Sequence, residues 1–141
     1  MALSIADYLL QLPENMNFAK VQELSGEDSL YYRMLSDYGQ TETAYSLLLQ
    51  EDSPSWLYEV KKGATTIWES WLGIDKKGEI HSSFNHYSLG AVTGWLLDSV
   101  CGIRVECGQI SIAPKPDKRL GFAEGSYDSP VGTISSCWEY T

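Results

Sequence analysis

The sequence predicts an α+β fold in which helical hairpins are followed by a short antiparallel β segment, and three observations predict it. Apolar residues recur at intervals of three and four through Leu30, Tyr31, Met34, Leu35 and Tyr38, and again through Tyr87, Leu89, Ala91, Val92, Trp95, Leu96 and Val100, which is the period of a helix with one apolar face. Gly39 stands between two such stretches in the position of a left-handed C-cap, and Gly102 ends the last of them. Beyond Gly102 the period falls to two, as in half-buried strands.

Ser4 can cap a first helix with Ile5, Leu9, Leu10 and Leu12 near its apolar side, and Pro13 ends it. Residues 14–25 show little pattern. A second helix starts near Asp28 or Ser29. Thr41 caps a third, in which Ala44, Tyr45, Leu47, Leu48 and Leu49 point inward. Helix, glycine, helix reads as an αα-hairpin, and two such hairpins are about the helical content of this length. Residues 51–62 read as a loop with Pro54 and a short apolar piece, 56–60. Gly63 allows a tight turn, and 64–71 reads either as the start of a helix or as an extended stretch. A loop rich in glycine and charge, 73–82, leads to a fourth helix capped near Ser83 or Asn85.

Three strands follow, 109–113, 120–127 and 131–140, the last two joined by a turn through Asp128, Ser129 and Pro130. Such a set needs something to cover its apolar face. The resulting division is a helical segment over 1–104 and an antiparallel β segment over 105–141.

A chain of 141 residues has room for one compact domain, burying about 70% of its extended surface at that size. Ten basic residues against 19 acidic ones give a net charge of −9, a surface that repels phosphate backbones and argues against nucleic-acid binding. There is no apolar run of about eighteen residues and no signal-peptide pattern, so neither a membrane nor export is expected and the default location is cytoplasmic. Cys101, Cys107 and Cys137 lack metal-ligand spacing and have no histidine nearby in sequence, so no metal site is expected. They read as small buried thiols, with a Cys107–Cys137 disulfide as the alternative in an exported protein.

The chemistry concentrates in Gly63-Ala64-Thr65-Thr66-Ile67-Trp68-Glu69-Ser70-Trp71 and in Ser83-Phe84-Asn85-His86-Tyr87. These put a carboxylate between two indoles and a histidine beside an amide and a phenol. A pyranose offers hydroxyls that need charged or amide partners and C–H faces that an indole can cover. The two blocks, in this order and with His86 seventeen positions after Glu69, resemble the C-terminal part of the α-L-rhamnosidase catalytic domain of glycoside hydrolase family 78. The resemblance runs from about Leu30 to the C-terminus, through Tyr38-Gly39-Gln40-Thr41-Glu42-Thr43-Ala44-Tyr45 and Pro54-Ser55-Trp56-Leu57-Tyr58. It continues through Ile112-Ala113-Pro114-Lys115-Pro116 and Ser126-Tyr127-Asp128-Ser129-Pro130-Val131-Gly132.

That resemblance implies part of an (α/α)6 barrel followed by the start of a β-sandwich, and a chain too short for the whole enzyme. It implies an inverting glycoside hydrolase that releases terminal rhamnose by water attack and needs no metal or organic cofactor. Inverting enzymes use two carboxyl groups roughly 6.5 to 9.5 Å apart. By resemblance Glu69 is the general base, and flanking Trp68 and Trp71 are expected to desolvate it partly, strengthening it as a proton acceptor. His86 corresponds to a histidine that hydrogen-bonds the sugar, because imidazole can donate from one nitrogen and accept on the other.

Asn85, Trp68 and Trp71 complete the expected sugar contacts, although two indoles three apart on one packed helix cannot both face the ligand. Trp56, Trp95 and Trp138 read as core, and His81 as a loop residue without a partner. No general acid is assigned: Asp52, Glu59, Asp75 and Glu79 are the nearby carboxylates, and nothing beyond proximity in sequence supports any of them. The alternative is a non-catalytic carbohydrate-binding or structural remnant, and apolar flanks left open would invite self-association.

Overall fold

The computed structural model of the chain describes residues 30–75, 77–87 and 89–141. The helix expected from Ser4 to Pro13 and the start of the second at Asp28 or Ser29 lie outside them. The chain divides into two compact units, one ending at Ala91 and the other spanning Val92–Thr141.

In the first unit, α1 (Leu30–Asp37) and α2 (Thr41–Leu48) form the expected hairpin. The Gln40 N–H donates to the Leu35 carbonyl at 2.7 Å and the Gly39 N–H to that of Ser36 at 3.3 Å. With Gly39 at φ +81° this is a Schellman motif. Thr41 turns out to be the first helical residue rather than the cap, since Gln40 occupies that position without a side-chain bond. Ala44, Tyr45 and Leu47 are buried, while Leu48 and Leu49 are half-buried.

The segment read as a loop contains a helix, α3 (Trp56–Lys61). Ser55 Oγ accepts the Tyr58 N–H at 3.0 Å at its start. A second Schellman motif ends it, with Gly63 N–H to Val60 O, Ala64 N–H to Glu59 O, and Gly63 at φ +86°. Six residues are too few for a helical period to show in the sequence. Trp56 is the hub of this unit's core. Its ring meets Tyr32 edge to face at 5.4 Å and Trp71 at 5.3 Å, and its Nε1 donates to the Leu89 carbonyl at 3.1 Å.

The fourth helix begins later than expected. Residues 83–87 are not helical, and Tyr87, placed by sequence on the apolar stripe, is 85% exposed. A 3₁₀ turn (Leu89–Ala91) closes the first unit. The second unit opens with α4 (Val92–Trp95), which continues as a π-helical turn (Leu96–Val100), closed by the Cys101 N–H on the Leu96 carbonyl.

Four strands follow rather than three. β1 (Ile103–Glu106) pairs antiparallel with β2 (Gln109–Ile112), and β3 (Phe122–Ser129) with β4 (Gly132–Glu139), as two separate two-stranded sheets. The missed strand is β1. Its two-residue turn, Cys107 at φ 50° and Gly108 at φ 77°, has the positive dihedrals of a type I′ hairpin, but without the asparagine or aspartate that usually announces one. The β3–β4 hairpin forms as expected, with Pro130 and Val131 between Ser129 and its partner Gly132.

Contacts inside the second unit tie its strands to its helical turn. Trp138 Nε1 donates to the Val100 carbonyl at 2.7 Å and the Lys115 N–H to that of Ser99 at 2.9 Å, tying both sheet regions to the helical turn. At Gly125 a Cβ would lie 2.7 Å from Cys101 Sγ, so glycine permits the close approach. Trp56 and Trp95 are buried as expected, and Trp138 is half-buried.

The cysteines correct the sequence reading. All three are free, but only Cys101 is buried, which pushes its thiol pKa up. Cys107 lies in the β1–β2 turn and Cys137 on an exposed position of β4, and no disulfide joins them. Exposed apolar side chains include Val60, Leu72 and Ile80 in the first unit and Ile112, Phe122 and Val131 in the second. Among the described residues no helix is long and apolar enough to cross a membrane. The architecture seen is mixed helix and antiparallel strand.

Candidate active site

The two motif blocks form the arms of one irregular ribbon over residues 66–86. At its tip the Asp75 N–H bonds the Glu79 carbonyl, Ile74 bridges Ile80, and the His81 N–H bonds the Gly73 carbonyl. Towards its base the Glu69 N–H donates to the Ser83 carbonyl and the His86 N–H to that of Ile67, each at 3.0 Å, while Thr66 Oγ1 donates to the Phe84 carbonyl. Of the two readings open for 64–71, the irregular, extended one is correct. Glu69 and His86, seventeen apart in sequence, therefore stand on adjacent arms.

The Glu69 side chain is exposed, and its Oε2 accepts the Ser83 N–H at 3.1 Å. One carboxylate oxygen is thus fixed by the opposite arm. The other has no hydrogen-bond partner among the described residues. The His86 ring is half-buried and stacks on the Tyr87 ring at 5.0 Å, and Asn85 is exposed.

The two indoles behave differently from expectation. Trp68 is 2% and Trp71 7% exposed. Trp68 stacks on Phe84 of the other arm at 4.9 Å, and Trp71 packs against Trp56. Both rings are packed within the fold, while the Glu69 side chain is exposed. Alternation along the extended arm turns Trp68 inward and Glu69 outward.

Glu59 is one of the four carboxylates that lie near the motif blocks in sequence. It is 1% exposed, and burial pushes its pKa up to about 7, opposed by the hydrogen bond from the Trp68 N–H to Oε2 at 3.3 Å. Its place three residues after Trp56 is the available signal, and six residues are too few for the sequence to show the helix that makes it one. His81, expected to lack a partner, has one: its Nε2 lies 3.0 Å from Asp75 Oδ2. That bond, with the N–H groups of Glu79 and Lys77, holds the Asp75 carboxyl below the usual range. Asp75, Glu79 and His81 bring potential metal ligands within 4.8 Å of one another at the ribbon tip. The hydrogen bonds that close this turn account for the grouping.

The bacterial alpha-L-rhamnosidase 6 hairpin glycosidase domain matches residues 26–100. The chain belongs to the bacterial α-L-rhamnosidase family. The C-terminal domain of these rhamnosidases matches residues 108–141. An α-L-rhamnosidase of Alteromonas sp. (strain LOR) is 35% identical over 117 residues, covering 77% of this chain and 12% of that protein. One from Streptomyces avermitilis is 37% identical over 113 residues, covering 75% of this chain and 11% of its own length.

Among solved structures, the Streptomyces avermitilis α-L-rhamnosidase complexed with L-rhamnose superposes with a TM-score of 0.75 at 30% identity, covering 87% of this chain and 13% of that one. The α-L-rhamnosidase from Aspergillus terreus gives the same TM-score and identity, covering 85% and 16%. This chain therefore spans roughly an eighth of the curated rhamnosidases it matches. The 6 hairpin match includes both arms of the ribbon, hence Glu69, Asn85 and His86.

Proposed function

We propose that this chain carries the general-base half of an α-L-rhamnosidase site of the inverting type, within what would be part of an (α/α)6 barrel. Glu69 draws a proton from the water that attacks the anomeric carbon, opposite the leaving oxygen. His86 and Asn85 hydrogen-bond the sugar hydroxyls, and Trp68 and Trp71 act as the packed wall behind the ribbon rather than as stacking surfaces. The observation that carries the reading is the exposed Glu69 carboxylate, held by one oxygen on the Ser83 N–H beside the arm that bears His86. An anchored but solvent-facing carboxylate can bind and orient a water, which a base in this reaction must do.

The general acid is not assigned to this chain. Of the four nearby carboxylates, Glu59 is buried, Asp75 is tied to His81 and to the N–H groups of Lys77 and Glu79, and Asp52 and Glu79 are exposed. A second reading, a carbohydrate-binding remnant without turnover, draws support from the small share of each relative that the chain spans. Copies of the chain are also expected to associate through exposed apolar side chains such as Leu72 and Phe122.

The test is proton NMR of an aryl α-L-rhamnoside incubated with the full chain. First-formed β-L-rhamnose supports the inverting reading, and first-formed α-L-rhamnose contradicts it. Saturable binding of L-rhamnose with no product favours the remnant. Sedimentation of the same sample reads the association, and a monomer across all concentrations would remove that part.

A further inference from the structure

Glu59 is the only buried charged side chain among the described residues. A carboxyl group in that place is costly, since burial without full hydrogen bonding disfavours it relative to an apolar side chain of similar size. Its Oε1 has no hydrogen-bond partner among the described residues. Its other oxygens hold two fixed points. The main-chain carbonyl accepts the Ala64 N–H at 3.0 Å, and Oε2 accepts the Trp68 N–H at 3.3 Å. One residue of α3 thereby grips both ends of the loop 64–68, the loop that delivers Glu69.

The contacts of Trp68 turn that grip into a direction. Its ring is clamped between arms, stacked on Phe84, and at Gly73 a Cβ would come within 2.9 Å of Trp68 Cε3. With the ring packed and the N–H held, the peptide linking Trp68 to Glu69 has little freedom, and the Glu69 carboxylate meets the Ser83 N–H.

We propose that the Glu59 side chain is the positioning group for Glu69: it holds the Trp68 end of the 64–68 loop, whose Ala64 end the α3 backbone cap already fixes, so that the base stands at a fixed place on the ribbon. This rests on the reading of Glu69 as the base. The sugar and water are not touched by Glu59, whose effect is transmitted through the Trp68 backbone.

The experiment compares Glu59→Gln, which keeps an acceptor oxygen, with Glu59→Leu, which fills the space without one. Amide hydrogen exchange of Trp68 and Ser83 is followed by NMR in the full chain, together with kcat and KM on an aryl α-L-rhamnoside. Loss of a buried hydrogen bond of this kind corresponds to about tenfold faster exchange. Glu59→Leu should show that acceleration at Trp68 and also at Ser83, whose N–H reports the Glu69 carboxylate, while Glu59→Gln stays within about twofold of wild type. kcat should fall in the leucine variant and recover in the glutamine variant, with KM little changed.

If glutamate were only filler, leucine would be at least as good as glutamine in every readout, and unchanged protection of both amides in Glu59→Leu overturns the proposal. Glu59→Met, flexible and also without a strong acceptor, takes the place of leucine if that variant does not fold. A chain that shows the predicted exchange pattern but no rhamnoside hydrolysis loses the base reading and keeps the clamp.

Discussion

The β3–β4 hairpin keeps one register from Phe122↔Glu139 to Ser129↔Gly132, whereas the ribbon over 66–86 changes register along its length. Asp75 bonds to Glu79 and Gly73 to His81 near the tip, but Glu69 faces Ser83 and Ile67 faces His86 nearer the base. Each slip takes a backbone group out of the ladder, and such groups must find another partner. Side chains supply them: Glu59 takes the Trp68 N–H, Glu69 takes the Ser83 N–H, and Thr66 takes the Phe84 carbonyl. The regular hairpin stabilises itself. The irregular one couples its backbone to ionisable side chains, as a site does.

The largest way to break this contrast is at the core beneath the ribbon. Trp56→Ala removes the ring that meets Tyr32 and Trp71 and the donor to the Leu89 carbonyl. We expect a loss of about 3–5 kcal/mol, measured by urea denaturation, with amide protection over residues 66–86 falling first.

A pH titration sharpens the contrast next. The Glu59 pKa is raised from 4.5 to about 7, so between those values the folded chain binds the proton that the unfolded chain has released. Stability owed to this group is therefore complete below about pH 4.5 and is lost as pH rises through about 7. The expected loss is about 3 kcal/mol over that window, read as a falling urea midpoint, and Glu59→Gln should flatten it. An unchanged slope in the glutamine variant would count against the buried acid.

Gly125→Ala tests the regular hairpin. Its methyl would meet Cys101 Sγ at 2.7 Å, an overpacking cost of about 1–3 kcal/mol. Thermal unfolding should show that cost, while exchange at Trp68 and Ser83 stays at the wild-type rate. The smallest effect is expected for Ser55→Ala, which removes the α3 cap that accepts the Tyr58 N–H, worth about 1 kcal/mol in the same assay.

What the sequence made legible follows the same contrast. The α1–α2 hairpin with its Gly39 cap and the β3–β4 hairpin rest on local signals, a period and a turn residue, and both were read correctly. Helix α3 was missed because six residues between Pro54 and Gly63 carry too little period, although Ser55 was a cap in plain sight. Strand β1 was missed because Cys107-Gly108 makes a type I′ turn without its usual residues.

At the site, residue types and order pointed to Glu69, Asn85 and His86, and the fold sets Glu69 and His86 on adjacent arms. The inward turn of Trp68 and Trp71 was not legible. Whether 64–71 was helical or extended decides it, and hydrogen bonds to residues 83–86, far along the chain, choose the extended form. The load carried by Glu59 was hidden for the same reason, since it depends on a bond across nine residues.

The most direct test of the central claim is the rate of aryl α-L-rhamnoside hydrolysis by the full chain beside Glu69→Gln, which keeps an oxygen for the Ser83 N–H and removes the base. The account predicts that whatever turnover the wild-type chain shows falls by about 10²–10⁴-fold in the variant, with the fold intact by amide exchange. Measurable turnover that is equal in the two proteins would contradict it.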